Sequence, residues 1–129
     1  MEKGVMFSIH PHWLEMIFNE EKGLEFRNKI ISSIKPETKI YFYETKKNNG
    51  AGKVVGDAVI IDVTKIEASR KPLYQQCFNY IGYSNQEYAI RFIAVRKYKE
   101  PMEISQFEYL NGNSMKYPPQ SMVNVRRKN

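Results

Sequence analysis

The sequence predicts an α+β fold: a small, curved mixed sheet of about five or six strands, rolled toward a partly closed barrel and flanked by two main helices. Three observations carry this. The segments Lys39–Thr45 and Lys53–Val63 are apolar on both faces, as in strands that are central or that curl. Two segments, after Pro11 and after Pro72, repeat apolar residues at spacings of three and four, the mark of a helix with a core-facing stripe. No linker, repeat or low-complexity run divides the 129 residues, so residues 1–129 read as a single domain.

Val5–His10 opens the chain as a strand, with Met6, Phe7 and Ile9 apolar. Pro11 suits the first turn of a helix, where its missing N–H costs nothing. Trp13, Leu14, Met16, Ile17 and Phe18 form the stripe, and the helix should stop between Asn19 and Gly23. Leu24–Asn28 then reads as a short strand. Alternation places Leu24 and Phe26 on one face and Glu25 and Arg27 on the other. Lys22 stands just before them, so one turn and one strand offer an ammonium, a carboxylate and a guanidinium.

Ile30, Ile31 and Ile34 form a cluster, helical turn or irregular chain, ended by Lys35-Pro36. In Lys39–Thr45, Ile40 and Phe42 oppose Tyr41 and Tyr43. Lys46–Gly52 is a basic, Asn/Gly-rich flexible hairpin loop. Gly56, inside Lys53–Val63, predicts a bend or a close approach. Pro72–Ile81 reads as the second helix, with Leu73, Cys77, Phe78 and Ile81 as its stripe and Gly82 as its stop. Tyr88–Tyr98 is a long strand, with Tyr88, Ile90 and Phe92 opposite Ile93 and Val95. Ser105-Gln106-Phe107-Glu108 matches a capping box that would open a short helix ended by Asn111-Gly112. Met122–Val125 closes the sheet before a basic tail, Arg126-Arg127-Lys128.

The net charge of +6 favours an anionic partner, with nucleic acid or a nucleotide ahead of a membrane surface. Cys77 is the single cysteine, which rules out an internal disulfide and fits a reducing compartment. No apolar run approaches the ~20 residues that span a bilayer, and Met1-Glu2-Lys3-Gly4 does not begin a signal peptide. A cytoplasmic protein without membrane contact is expected. His10 and His12 flank Pro11, but two histidines cannot complete a zinc site, so no metal is expected. Gly50-Ala51-Gly52-Lys53 lacks the glycine and the hydroxyl residue that a phosphate loop needs at positions 47 and 54. Neither a dinucleotide fingerprint nor a Ser/His/Asp signature is present, and no cofactor is expected. The candidate chemistry therefore lies in Lys22, Glu25 and Arg27 together with Glu44 and Thr45.

Six stretches then meet one known pattern. Ser8-Ile9-His10-Pro11, the run Ile17 to Arg27, Tyr43-Glu44-Thr45, Gly52-Lys53-Val54-Val55-Gly56, Tyr88-Ala89-Ile90 and Pro118-Pro119-Gln120-Ser121 resemble, in order and spacing, the ASCH domain of the PUA-like superfamily. The likeness is to its small stand-alone prokaryotic, archaeal or phage members. The resemblance implies a β-barrel with flanking helices and a cationic cleft for RNA, a nucleotide or a nucleoside. The ligand-binding residues it suggests are Ser8, His10, Lys22, Glu25, Arg27, Glu44, Thr45, Lys53, Gln120 and Ser121. Some small members hydrolyse an amide on a modified nucleoside such as acetylcytidine. In such an enzyme Lys22 would be the base, Glu25 would occupy the position that tunes it, and Glu44 would be the proton donor. The chain departs from the pattern at three places: Glu20 replaces a glycine, Glu25 stands where the amidohydrolases carry threonine, and His10 stands where Lys or Arg is usual. An RNA- or nucleotide-binding module is thus the first expectation, with amidohydrolase, ribonuclease and protein-interaction adaptor behind it.

Overall fold

The computed structural model describes residues 2–20, 23–70, 72–73 and 87–128. Among them seven strands form one mixed sheet in the order β2-β5-β4-β3-β1-β7-β6. The strands are β1 (Lys3–Ile9), β2 (Leu24–Arg27), β3 (Lys39–Glu44), β4 (Lys53–Lys65), β5 (Tyr88–Met102), β6 (Phe107–Tyr109) and β7 (Met122–Arg127). β1 and β3 run parallel, and every other neighbouring pair is antiparallel.

The helix α1 (Pro11–Phe18) connects β1 to β2 and buries Leu14, Met16 and Ile17. His10 is its N-cap, and Pro11 occupies the first turn, where a missing N–H leaves nothing unsatisfied. The second helix expected over Pro72–Ile81 lies outside the described residues after Leu73, and so does Cys77. Lys22, the expected ammonium, also lies outside them.

The two faces of the sheet bury separate layers. Val5, Phe7, Ile9, Ile40, Phe42, Ala58, Ile60 and Ile90 pack beneath α1 and the irregular 30–34 segment, to which Ile34 contributes. Met6, Tyr41, Tyr43, Val54 and Val125 face the other way, under Met102, Phe107 and Met115. This explains why β3 and β4 are apolar on both faces. Gly56 marks the close approach that its position predicts. A Cβ there would stand 2.3 Å from the Arg96 carbonyl and 2.8 Å from the Phe18 ring.

The sheet is open, with β2 and β6 as its edges, rather than a closed barrel. It nevertheless curls strongly. β2 lies four strand intervals from β1, which in a flat sheet would separate them by about 19 Å. Instead, the Arg27 guanidinium at the end of β2 hydrogen-bonds the Ser8 carbonyl of β1 at 3.2 Å. Side-chain bonds, not ladder bonds, close this seam.

Two further expectations are corrected. The capping box sits two residues earlier than the Ser105–Glu108 pattern, with Glu103 as cap and Gln106 as its partner, and it opens only the single turn Ile104–Gln106. Phe107 then enters β6, because an extended chain places its fully buried ring against Tyr41, with centroids 4.9 Å apart. The basic tail is not free: Arg126 and Arg127 belong to β7, and Arg126 pairs with Glu108 at 3.3 Å. Ile93 and Val95 are exposed: β2 pairs no further along β5 than Leu24 opposite Arg91, and Ala94 takes a positive φ of 56°.

Candidate functional site

The parallel pair β1·β3 ends at Ile9 and Glu44, which are register partners. Antiparallel β7 begins beside them, where Ser8 N–H donates to the Ser121 carbonyl at 3.0 Å. Ser8 Oγ donates to the Pro119 carbonyl at 2.6 Å. β2 brings its last residue, Arg27, to the same end.

Glu25 and Arg27 share one face of β2, as the sequence predicts, while Phe26 packs with Ile66 and Ala89 on the opposite face. Glu25 is fully buried, and the Arg27 side chain is only 14% exposed. Arg27 Nε and Nη2 both donate to Glu25 Oε2, at 3.2 and 2.9 Å. Its Nη1 donates to Ser121 Oγ at 2.9 Å and meets the Ser121 carbonyl at 3.5 Å, while Nη2 also reaches the Ser8 carbonyl. A guanidinium has five N–H groups, and these five interactions engage all of them. The Arg27 carbon also lies 4.8 Å from the Phe7 ring centroid. Arg27 therefore ties β2 to β1 and β7 and fixes the Glu25 carboxylate.

His10 and Glu44 organise the adjoining loop. His10 Nδ1 accepts the His12 N–H at 3.3 Å, capping α1. On the other side of the ring, His10 Nε2 lies 3.2 Å from Asn48 Nδ2. Glu44 Oε2 accepts the Ala51 N–H at 2.6 Å, and the Glu44 carbonyl accepts the Gly52 N–H. The loop connects the antiparallel β3–β4 hairpin, as its composition suggests. Asn48, Asn49 and Gly52 all adopt positive φ, a conformation Asn and Gly tolerate best. Gly50 is required for a different reason: a Cβ would fall 1.8 Å from the Thr45 carbonyl and 2.6 Å from the Pro11 ring.

Between loop and helix lies an open pocket of about 540 Å³, whose walls include His10, Glu15, Phe18, Glu44, Asn48 and Asn49. Lys97 stands at its rim, with Nζ 5.7 Å from the Phe18 centroid. The Thr45 hydroxyl is buried with no hydrogen-bond partner among the described residues. Gln120 and Ser121 are exposed at the β7 entrance. Lys53 is drawn instead into an exposed ion pair with Glu103, at 3.2 Å.

One polar cluster escapes the sequence reading. Asp57 is buried in β4, where Arg96 Nε and Nη2 donate to its two oxygens at 2.9 and 2.6 Å. Tyr98 Oη donates to it at 2.6 Å, and Lys39 Nζ lies 3.6 Å away. Burial alone would raise the Asp57 pKa, but the Arg96 and Tyr98 hydrogen bonds and the Lys39 charge hold it below the ordinary carboxylate value. Burial and the bond to this carboxylate push Tyr98 well above the usual phenol range. The signal was there to read: a lone acid inside an apolar strand must find a partner. Among the described residues no group of three or more His, Cys, Asp or Glu could hold a metal ion, and no helix is long and apolar enough to cross a membrane.

Comparison with solved structures decides the fold. The crystal structure of ASCH from Zymomonas mobilis superposes with a TM-score of 0.68 over 95% of this chain and 87% of that one, at 19% identity. The chain has the ASCH fold. A tyrosine-to-phenylalanine variant of the Zymomonas mobilis protein gives a TM-score of 0.66, with 95% of this chain and 90% of that one covered at 18% identity. A serine-to-alanine variant gives 0.65, with 95% and 88% covered at 18% identity. No family profile and no curated protein matches the chain. The ASCH likeness seen in the six sequence stretches thus extends to the architecture.

Proposed function

We propose that this chain is an ASCH-type domain that binds RNA or a nucleotide at the open end of its curled sheet. One observation carries the reading. Ser8, His10, Glu25, Arg27, Glu44 and Ser121 come from distant parts of the chain and gather where β1 and β3 end, beside an open 540 Å³ pocket. The +6 net charge supplies the attraction for a polyanion.

Within this reading Arg27 and Glu25 are the rigid base of the site. Lys22 is assigned the ligand-contacting ammonium on the strength of the sequence resemblance. His10, Glu44, Thr45, Gln120 and Ser121 meet polar edges of the ligand, and Ser8 anchors the β7 entrance. Lys46, Lys47 and Lys53 steer the phosphate chain. Amide hydrolysis has weaker support, because Glu44, its proposed proton donor, is committed through Oε2 to the loop backbone.

Filter binding of mixed-sequence single-stranded RNA over a salt series tests the proposal. Binding that weakens linearly in log–log form, by roughly 0.7 per phosphate neutralised, is expected. Absence of binding at low salt would overturn it. Turnover of acetylcytidine that disappears in Lys22→Ala would replace binding with catalysis.

A further inference from the structure

The pocket between α1 and the 46–52 loop has a chemistry of its own, separate from the Arg27–Glu25 cluster. Its apolar lining residues are Pro11, Phe18 and Val55. Its walls are hydrogen-bonding: carboxamides from Asn48 and Asn49, carboxylates from Glu15 and Glu44. A volume of about 540 Å³ suits a small planar ligand.

The charges say which part of a nucleotide fits. Among the lining residues two carboxylates, Glu15 and Glu44, outnumber one ammonium, Lys97, so a phosphate placed here would meet net negative charge. The phosphate's natural partners, Lys46 and Lys47, are exposed on the same loop, immediately before Asn48. A base in the pocket with its phosphate over these lysines satisfies both demands. Glu44 spends one lone pair on Ala51 N–H, but a carboxylate has about four acceptor sites. Carboxylates accept from exocyclic amino groups and repel carbonyl oxygens. The loop is also preformed: Asn48 and Asn49 hold φ of 50° and 64°, and Asn48 is braced against His10.

We propose that this pocket is a nucleobase site that selects bases bearing an exocyclic amino group, adenine or cytosine over uracil. The inference rests on the RNA- or nucleotide-binding reading above and adds base selectivity to it. Asn49 supplies paired donor and acceptor to the base edge, Glu15 and Glu44 accept from the amino group, and Phe18 offers an apolar surface.

Fluorescence anisotropy with labelled A12, C12 and U12 oligomers at low salt tests it, using wild type, Asn49→Gly and Glu15→Gln. Asn49→Gly removes the carboxamide while keeping a residue that accepts positive φ, and Glu15 is exposed, so both variants should fold; thermal melts check this. The expected result is A12 and C12 binding at least about fivefold tighter than U12, with the preference reduced in both variants. Equal binding of the three oligomers by wild type, or a preference for U12, overturns base selectivity while the RNA-binding reading stands. A preference left intact in both variants also overturns the pocket assignment. Binding of none of the oligomers overturns the RNA-binding reading and this one with it.

Discussion

Replacing Arg27 by Met should destabilise the protein by about 4 kcal/mol. The figure follows from what the side chain holds. Glu25 is fully buried and receives two of the Arg27 N–H groups. Removing one partner of a buried ion pair costs about 3–5 kcal/mol, because the remaining charge keeps its desolvation penalty. The bonds to Ser8 and Ser121 add little, since exposed Ser121 can turn to water when the guanidinium leaves. Against a total stability of roughly 5–15 kcal/mol, such a loss should lower Tm by about 15 °C in a domain of this size. Urea unfolding with an unchanged m-value is the assay. Arg27→Lys should lose about half as much, because an ammonium keeps the charge but not the five-way geometry. The double variant Glu25→Leu with Arg27→Met should recover much of the stability, since replacing both members of a buried ion pair by apolar side chains is close to neutral. A loss below about 1 kcal/mol in Arg27→Met, or no recovery in the double variant, would refute the idea that Arg27 stabilises the buried Glu25 carboxylate.

Other consequences are as concrete. Asp57→Ala should cost about 2–3 kcal/mol, at or below the lower end of the buried-pair range, because Arg96 is 60% exposed and can rehydrate; chemical denaturation measures it. The Asp57 pKa is lowered in the fold, so its stabilisation is present above the unfolded value near ~3.9 and is lost as pH falls through the folded value. The urea midpoint should therefore drop below about pH 4, with a shallower drop in Asp57→Asn. Gly56→Ala should cost about 1–3 kcal/mol by overpacking, since the new methyl meets the Arg96 carbonyl and the Phe18 ring; thermal melting reads it. Gly50→Ala should disturb the 46–52 loop in the same way, which circular dichroism and RNA affinity measured together would separate from global unfolding.

Local patterns were legible in the sequence. The first strand, the proline-started helix, the two-faced β3 and β4 strands and the Glu25–Arg27 alternation all follow from periodicities of two and 3.6 within a few residues. What could not be read is what depends on distant partners. The Arg27 bond to Ser121, just before β7, could not be read because the two residues are 94 positions apart. The capping box was displaced because two overlapping stretches fit its chemistry. Burial of Phe107 chose between them, and burial is a tertiary fact. β6 was missed because three residues carry no period. The Asn and Gly content of the hairpin loop was legible, but not that Asn48, Asn49 and Gly52 take positive φ beside Glu44 and His10.

The central claim is that a nucleic-acid ligand docks at the strand ends where β1 and β3 stop. Mapping amide chemical-shift changes on titration with a short single-stranded RNA at low salt tests this directly. The account predicts the largest changes at Ser8, His10, Glu44, Asn48 to Ala51 and Ser121, with little at the Asp57–Arg96–Tyr98 cluster. Changes confined to that cluster or to the exposed Ile93–Val95 edge, with the strand ends silent, would contradict it.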